Sequence, residues 1–137
     1  DYPYYDNLTA MAHDIDVLIC ITPGGPSTDR IVNAEVLEAL GPNGTLINVS
    51  RGSVVDEPAM IEALQSGKLG WAGLDVFEGE PHVPQALRDL PNTVLLPHVG
   101  SATVETRAAM GALTVENLLQ HLKDGTALTP VPECAHL

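Results

Sequence analysis

Four short apolar runs, Asp16–Thr22, Thr45–Ser50, Trp71–Phe77 and Thr93–Leu96, are separated by segments of helical character, and this alternation restricts the chain more than any other feature. Each run is too short for a helix. Their residues are apolar without a break rather than at every second position, so strands buried on both faces are expected. Between them, Val36, Leu37 and Leu40 recur at helical spacing over Ala34–Leu40 and stop at Gly41-Pro42. Asp56 reads as an N-cap with Pro58 in the first turn, Met60, Ile61 and Leu64 as an apolar face, and Gly67 as the close. After His98-Val99-Gly100 a longer pattern runs from about Thr103 to Lys123, with Met110, Leu113, Leu118 and Leu122 on one face and Gly125 at its end. Strand alternating with helix predicts an α/β fold built of βαβ units around a parallel sheet.

Composition narrows the function classes. At 137 residues, 45% hydrophobic and 18% charged, the chain has the size of one domain or of part of a larger one. Only six Lys and Arg stand against eighteen Asp and Glu, a formal charge of −12, with no basic cluster, so binding to nucleic-acid phosphates is excluded as a class. No apolar run approaches the roughly 20 residues of a membrane span, and no basic leader opens the chain. Cys20 lies in an apolar run and Cys134 in the tail. A reduced cytoplasmic protein without disulfides or a metal site is the expectation.

With cations so scarce, Arg51 is conspicuous, because it directly follows the run Thr45-Leu46-Ile47-Asn48-Val49 and precedes Gly52. In an open α/β sheet the carboxyl ends of the strands face the ligand crevice. Glu80 follows the third run and His98 the fourth. If the strands are parallel neighbours, an anion grip, a carboxylate and an imidazole share one edge. That set suits proton transfer at the oxygen of a 2-oxo or 2-hydroxy acid: Arg51 holds the carboxylate, His98 exchanges the proton, and Glu80 orients the imidazole. Singly, each has an ordinary explanation as a strand-end or loop residue. Jointly those explanations weaken.

Three ordered segments carry a resemblance: Asn48-Val49-Ser50-Arg51-Gly52, then Gly73-Leu74-Asp75-Val76-Phe77-Glu78-Gly79-Glu80-Pro81, then Leu96-Pro97-His98-Val99-Gly100-Ser101. Together they closely resemble the D-2-hydroxyacid dehydrogenases, over nearly the whole chain. The resemblance implies that Arg51 binds the substrate carboxylate and carbonyl, that Glu80 partners the histidine, and that His98 is the acid/base. It also implies cofactor contacts at Thr22, Pro23, Val49, Ser50, Arg51, Asp75, His98 and Gly100, with Asp75 near the nicotinamide carboxamide. Asp-Glu-Pro after the arginine loop, Glu80-Pro81 and the Leu-Leu-Pro-His-Val-Gly-Ser segment look most like glyoxylate, hydroxypyruvate and hydroxyphenylpyruvate reductases, which implies NADP in preference to NAD. A homodimer is expected by the same resemblance. The leading expectation is a fragment of a 2-oxo acid reductase. A dinucleotide-sensing, corepressor-like binding module is the alternative, and the isolated polypeptide is expected to be inactive.

The chain also departs from the family. It contains no G-x-G-x-x-G; Gly67, Gly70 and Gly73 have the wrong spacing for a phosphate turn. The expectation is therefore the second half of a doubly wound Rossmann-type sheet over residues 1–101. Residues 102–137 would be a return helix and tail directed to a substrate domain, with Leu128-Thr129-Pro130-Val131-Pro132 resembling the family's terminal segment. In a sheet ordered 3-2-1-4-5-6, Asp16–Thr22 is assigned to strand 3 and Thr45–Val49 to strand 4. Two absent strands would then lie between them, and upstream sequence or another chain would be needed to fill the gap. Without a substrate domain, the apolar face of the long helix should be exposed.

Overall fold

The computed structural model describes residues 2–134, and the chain divides into two compact units at the Gly100–Ser101 step. The outermost residues of the two expected segments, 1 and 135–137, lie outside the described residues.

The first unit holds α1 (Leu8–His13), β1 (Val17–Cys20), α2 (Ala34–Leu40), β2 (Thr45–Asn48), α3 (Glu57–Ser66), β3 (Trp71–Leu74), α4 (Gln85–Arg88) and β4 (Thr93–Leu95). The four strands are all parallel and lie in the order β1-β2-β3-β4. The α/β reading is correct, and the long helices start and stop where their caps say. Asn33 Oδ1 accepts from Val36 N–H at 3.1 Å to open α2. Asp56 Oδ1 accepts from Ala59 N–H at 3.1 Å to open α3, which closes on Gly67 in the left-handed region.

The strand order corrects one expectation. Val17 pairs with Thr45, Leu18 with Leu46, Ile19 with Ile47 and Cys20 with Asn48, so the first two strands are direct neighbours. No gap separates them, and the need for upstream strands or a second chain to fill one falls away. Apolar content marks a strand but does not rank it within a sheet, so the place of the first strand is set by pairing that its own residues do not reveal.

Burial on both faces is also corrected. Leu18, Cys20, Leu46, Asn48, Ala72 and Leu74 are buried, whereas Val17, Ile19, Trp71 and Val94 on the opposite face are exposed. The reason is geometric. Strand order follows chain order without reversal, and right-handed crossovers all running one way place their helices on one face. Val36, Leu37 and Leu40 of α2 and Met60, Ala63 and Leu64 of α3 pack there with the buried side of the sheet. Each fully buried leucine, such as Leu37 or Leu46, contributes about 1.5–3 kcal/mol.

The second unit is dominated by α5 (Val104–Asp124), opened by Thr103 Oγ1 accepting from Thr106 N–H at 3.1 Å and closed by left-handed Gly125. None of its residues is buried. Met110, Leu113, Leu118 and Leu122 are exposed. Asn117 ties the following segment to it, with Oδ1 accepting from Thr129 N–H at 3.0 Å and Nδ2 donating to Thr129 Oγ1 at 3.0 Å. Among the described residues, no helix is long and apolar enough to cross a membrane.

Because α3 carries much of the core, its cap is a sensitive point. Asp56→Ala is expected to lower stability by about 1 kcal/mol, read from the urea midpoint at constant m-value.

Candidate active site

Parallel strands in register bring the loops after β1, β2, β3 and β4 to one edge of the sheet. A cleft of about 930 Å³ opens there, and Thr22, Pro23, Val49, Ser50, Arg51, Glu80 and His98 all line it. Of the positions expected from the sequence, only Asp75 and Gly100 lie outside that lining.

The arginine loop is shaped by Asn48, the last residue of β2, which is 1% exposed. Its Oδ1 accepts from Ser50 N–H at 3.0 Å and from Ser50 Oγ–H at 2.8 Å, while its Nδ2 donates to the Arg51 carbonyl at 3.0 Å. One buried amide thereby fixes both residues that follow the strand. The Arg51 guanidinium donates through Nη1 to the Ser50 carbonyl at 2.6 Å. Gly24 packs against the same side chain: a Cβ there would stand 2.9 Å from Arg51 Cγ, so the loop after β1 can lie this close only as glycine.

Glu80 and His98 form a pair, with His98 Nδ1 2.8 Å from Glu80 Oε2. The other carboxylate oxygen, Oε1, accepts from Phe77 N–H at 3.0 Å. Carboxylate contact at Nδ1 places the ring proton there and leaves Nε2 as the nitrogen available to a substrate. The hydrogen bond from His98 holds the Glu80 carboxyl below the usual glutamate range. The Phe77 N–H and the charges of His98 and Arg51 act in the same direction, against a smaller opposing effect of burial.

His98 has φ of +55°, a left-handed conformation that non-glycine residues seldom adopt. Asp75, immediately after β3 and 4% exposed, accounts for it. Its Oδ1 accepts from Val99 N–H at 2.7 Å and its Oδ2 from Gly100 N–H at 2.8 Å. Two charge-assisted bonds of about 1.5–3 kcal/mol each exceed a backbone strain of about 1–3 kcal/mol. Asp75 thus holds the turn that presents the imidazole, a contact that the sequence did not disclose.

Asn48, Gly24 and Asp75's backbone contacts are additions to the residues read from the sequence. A polar side chain closing an otherwise apolar strand was the available signal for Asn48. Elsewhere in this unit, burial pushes the Cys20 thiol up to about 11, which leaves it neutral and chemically quiet. Among the described residues, no group of three His, Cys, Asp or Glu is placed to hold a metal ion.

A parallel α/β sheet with an arginine and a Glu–His pair at its carboxyl edge defines a class of site suited to acid/base chemistry on an anionic ligand, and the comparisons with known proteins specify the family. Residues 1–100 match the family model described as D-isomer specific 2-hydroxyacid dehydrogenase, NAD binding domain, and the chain belongs to that family. It is 53% identical over 131 residues to hydroxyphenylpyruvate reductase of Plectranthus scutellarioides, covering 96% of this chain and 42% of that protein. A glyoxylate/hydroxypyruvate reductase A of Arabidopsis thaliana is 52% identical over 130 residues, covering 95% and 42%. Among solved structures, the NADPH-dependent glyoxylate/hydroxypyruvate reductase of Sinorhizobium meliloti, in complex with NADP and malonate, superposes with a TM-score of 0.94. Its identity is 57%, with 96% of this chain and 41% of that one covered. The chain therefore spans about two fifths of the length of these relatives.

The lowered pKa of Glu80 has a consequence for stability. A carboxyl depressed in the folded state stabilises it above the ordinary glutamate range, and that contribution is lost as pH falls through the depressed value. Wild type and Glu80→Gln, compared by urea unfolding, are expected to converge in stability as pH is lowered through this range. A gap independent of pH would contradict the pairing.

Proposed function

We propose that the protein containing this chain reduces a 2-oxo acid of the glyoxylate or hydroxypyruvate type to the D-2-hydroxy acid, using NADPH or NADH. The observation that carries the reading is the 2.8 Å Glu80–His98 pair in the same cleft as Arg51. The relatives' names support the substrate class, and the NADP complex of the Sinorhizobium enzyme favours NADP as cofactor.

The cleft suits a nicotinamide. Thr22–Gly25 form one wall, a Cβ added at Gly25 would meet no atom within 4 Å, and half-exposed Val49 supplies an apolar surface beside Ser50. Thr22, Pro23, Val49 and Ser50 would hold the ring, with Asp75 and Gly100 behind the His98 turn. When bound, the dinucleotide supplies a hydride to the substrate's carbonyl carbon.

This chain's residues supply the remaining chemistry. Arg51 grips the carboxylate with parallel charge-assisted hydrogen bonds and fixes the carbonyl's orientation. His98 donates a proton from Nε2 to the carbonyl oxygen as it becomes an alkoxide. Glu80 keeps the ring in the tautomer and orientation that this requires, and stabilises its charged form. The cofactor half carrying the glycine-rich turn, the substrate domain, a homodimeric assembly and a cytoplasmic location complete the reading by family likeness. Residues 1–101 would belong to the cofactor domain and 102–137 to the return helix and tail.

The test is oxidation of NADPH and NADH by the full-length protein with glyoxylate, hydroxypyruvate and hydroxyphenylpyruvate. Turnover of at least one pair is expected. His98→Ala should lower kcat by about 10²–10⁴-fold, and Arg51→Gln should raise KM by about 10-fold or more. No turnover of any pair would overturn the proposal.

A further inference from the structure

Glu57 is a buried carboxylate for which the chemistry proposed above has no use. It is the first residue of α3 and only 8% exposed. Asp56 already caps the helix, so Glu57 is not needed for that purpose. Its carboxylate reaches instead across the unit to the turn after β3, where Oε2 accepts from Glu78 N–H at 3.1 Å. The N-terminal end of α3 favours a negative charge at this position.

The peptide so held, Phe77–Glu78, is confined from a second direction. Gly52 lies directly against it, and a Cβ at Gly52 would collide with the Phe77 carbonyl carbon, the Phe77 carbonyl oxygen and the Glu78 nitrogen. From a third direction, Arg30 Nη2 donates to Glu78 Oε1 at 2.8 Å. The preceding peptide, Val76–Phe77, is the one whose N–H, on Phe77, donates to Glu80 Oε1 at 3.0 Å. The opposite oxygen of that carboxylate meets His98 Nδ1. A continuous set of contacts therefore runs from Glu57 through two adjoining peptides of the turn to the Glu80 carboxylate and the imidazole.

We infer that Glu57 is a positioning residue: by holding the Phe77–Glu78 peptide against Gly52, it sets where the Glu80 carboxylate meets His98, and so fixes the tautomer of the ring. This inference rests on the reductase reading for its kinetic consequence but not for its structural one. A hydrogen bond weakens steeply when its geometry is lost, and a shift of about 1 Å in a catalytic array costs up to about 100-fold in rate. Glu57 itself never touches the reacting atoms.

The test uses full-length protein labelled with [15N]histidine, at a pH where the His98 ring is neutral, and compares Glu57→Asp with Glu57→Gln. Ring nitrogen shifts report which nitrogen carries the proton. Glu57→Asp keeps the charge at the helix terminus but shortens the reach by one methylene. It should convert His98 from the Nδ1–H form to a mixture of tautomers, and lower kcat/KM by about 10-fold while leaving NADPH affinity within about twofold. Glu57→Gln keeps an acceptor oxygen at the same reach and should retain both the tautomer and the rate. An unaltered His98 signature in Glu57→Asp would overturn the inference, because the carboxylate would then serve stability alone. So would equal disturbance in both variants, or a wild-type ring without Nδ1–H. Absence of turnover in wild type would count against the reductase reading, while the nitrogen shifts still decide the role of Glu57.

Discussion

A parallel sheet has two unlike edges, and the convergence of the candidate site's loops follows from that asymmetry. Because β1 to β4 run the same way and lie in chain order, each strand delivers its following loop to the same edge. Thr22-Pro23, Arg51, Asp75 with Glu80, and His98 are far apart in sequence but lie on four successive loops of that edge. The same ordering puts the crossover helices on one face and leaves Val17, Ile19, Trp71 and Val94 exposed on the other. One topological rule thus explains both the assembled cleft and the half-covered sheet.

Topology brings the loops together, but it does not aim the side chains. That is done by polar groups bonded to backbone. Asn48 fixes the turn that bears Arg51, Asp75 fixes the turn that bears His98, and Glu57 holds the peptide behind Glu80. All three are buried, yet among the described residues no buried side-chain nitrogen or oxygen lacks a partner. Such groups cost little when satisfied and much when one partner is lost. The turns that bear the site residues are accordingly hydrogen-bonded, while the cleft beside them is open.

The sequence disclosed these layers unequally. Helix ends were legible because caps are local: Asp56 and Gly67 bound α3, and Thr103 and Gly125 bound α5, with chemistry contained within a few residues. The short α1 and α4 were missed, since six and four residues are too few to display a helical period, although Asn7 marks the start of α1 as an N-cap. Strand order is a non-local property, and assigning the first run to the wrong place in the sheet created a gap that does not exist. Arg51, Glu80 and His98 could be found because each stands after an apolar run. The roles of Asn48, Glu57 and Asp75 could not, because their hydrogen bonds join backbone groups whose proximity only the folded chain determines.

At the centre stands the Glu80–His98 pair, and under the proposed reduction Glu80 acts only through the imidazole. A double-mutant cycle on kcat/KM in the full-length protein, with Glu80→Gln, His98→Gln and both together, tests that dependence most directly. The double variant is expected to be no more impaired than His98→Gln alone, since without the imidazole Glu80 has nothing left to orient. Losses that multiply, so that Glu80→Gln costs as much without His98 as with it, would contradict the pairing as the basis of catalysis.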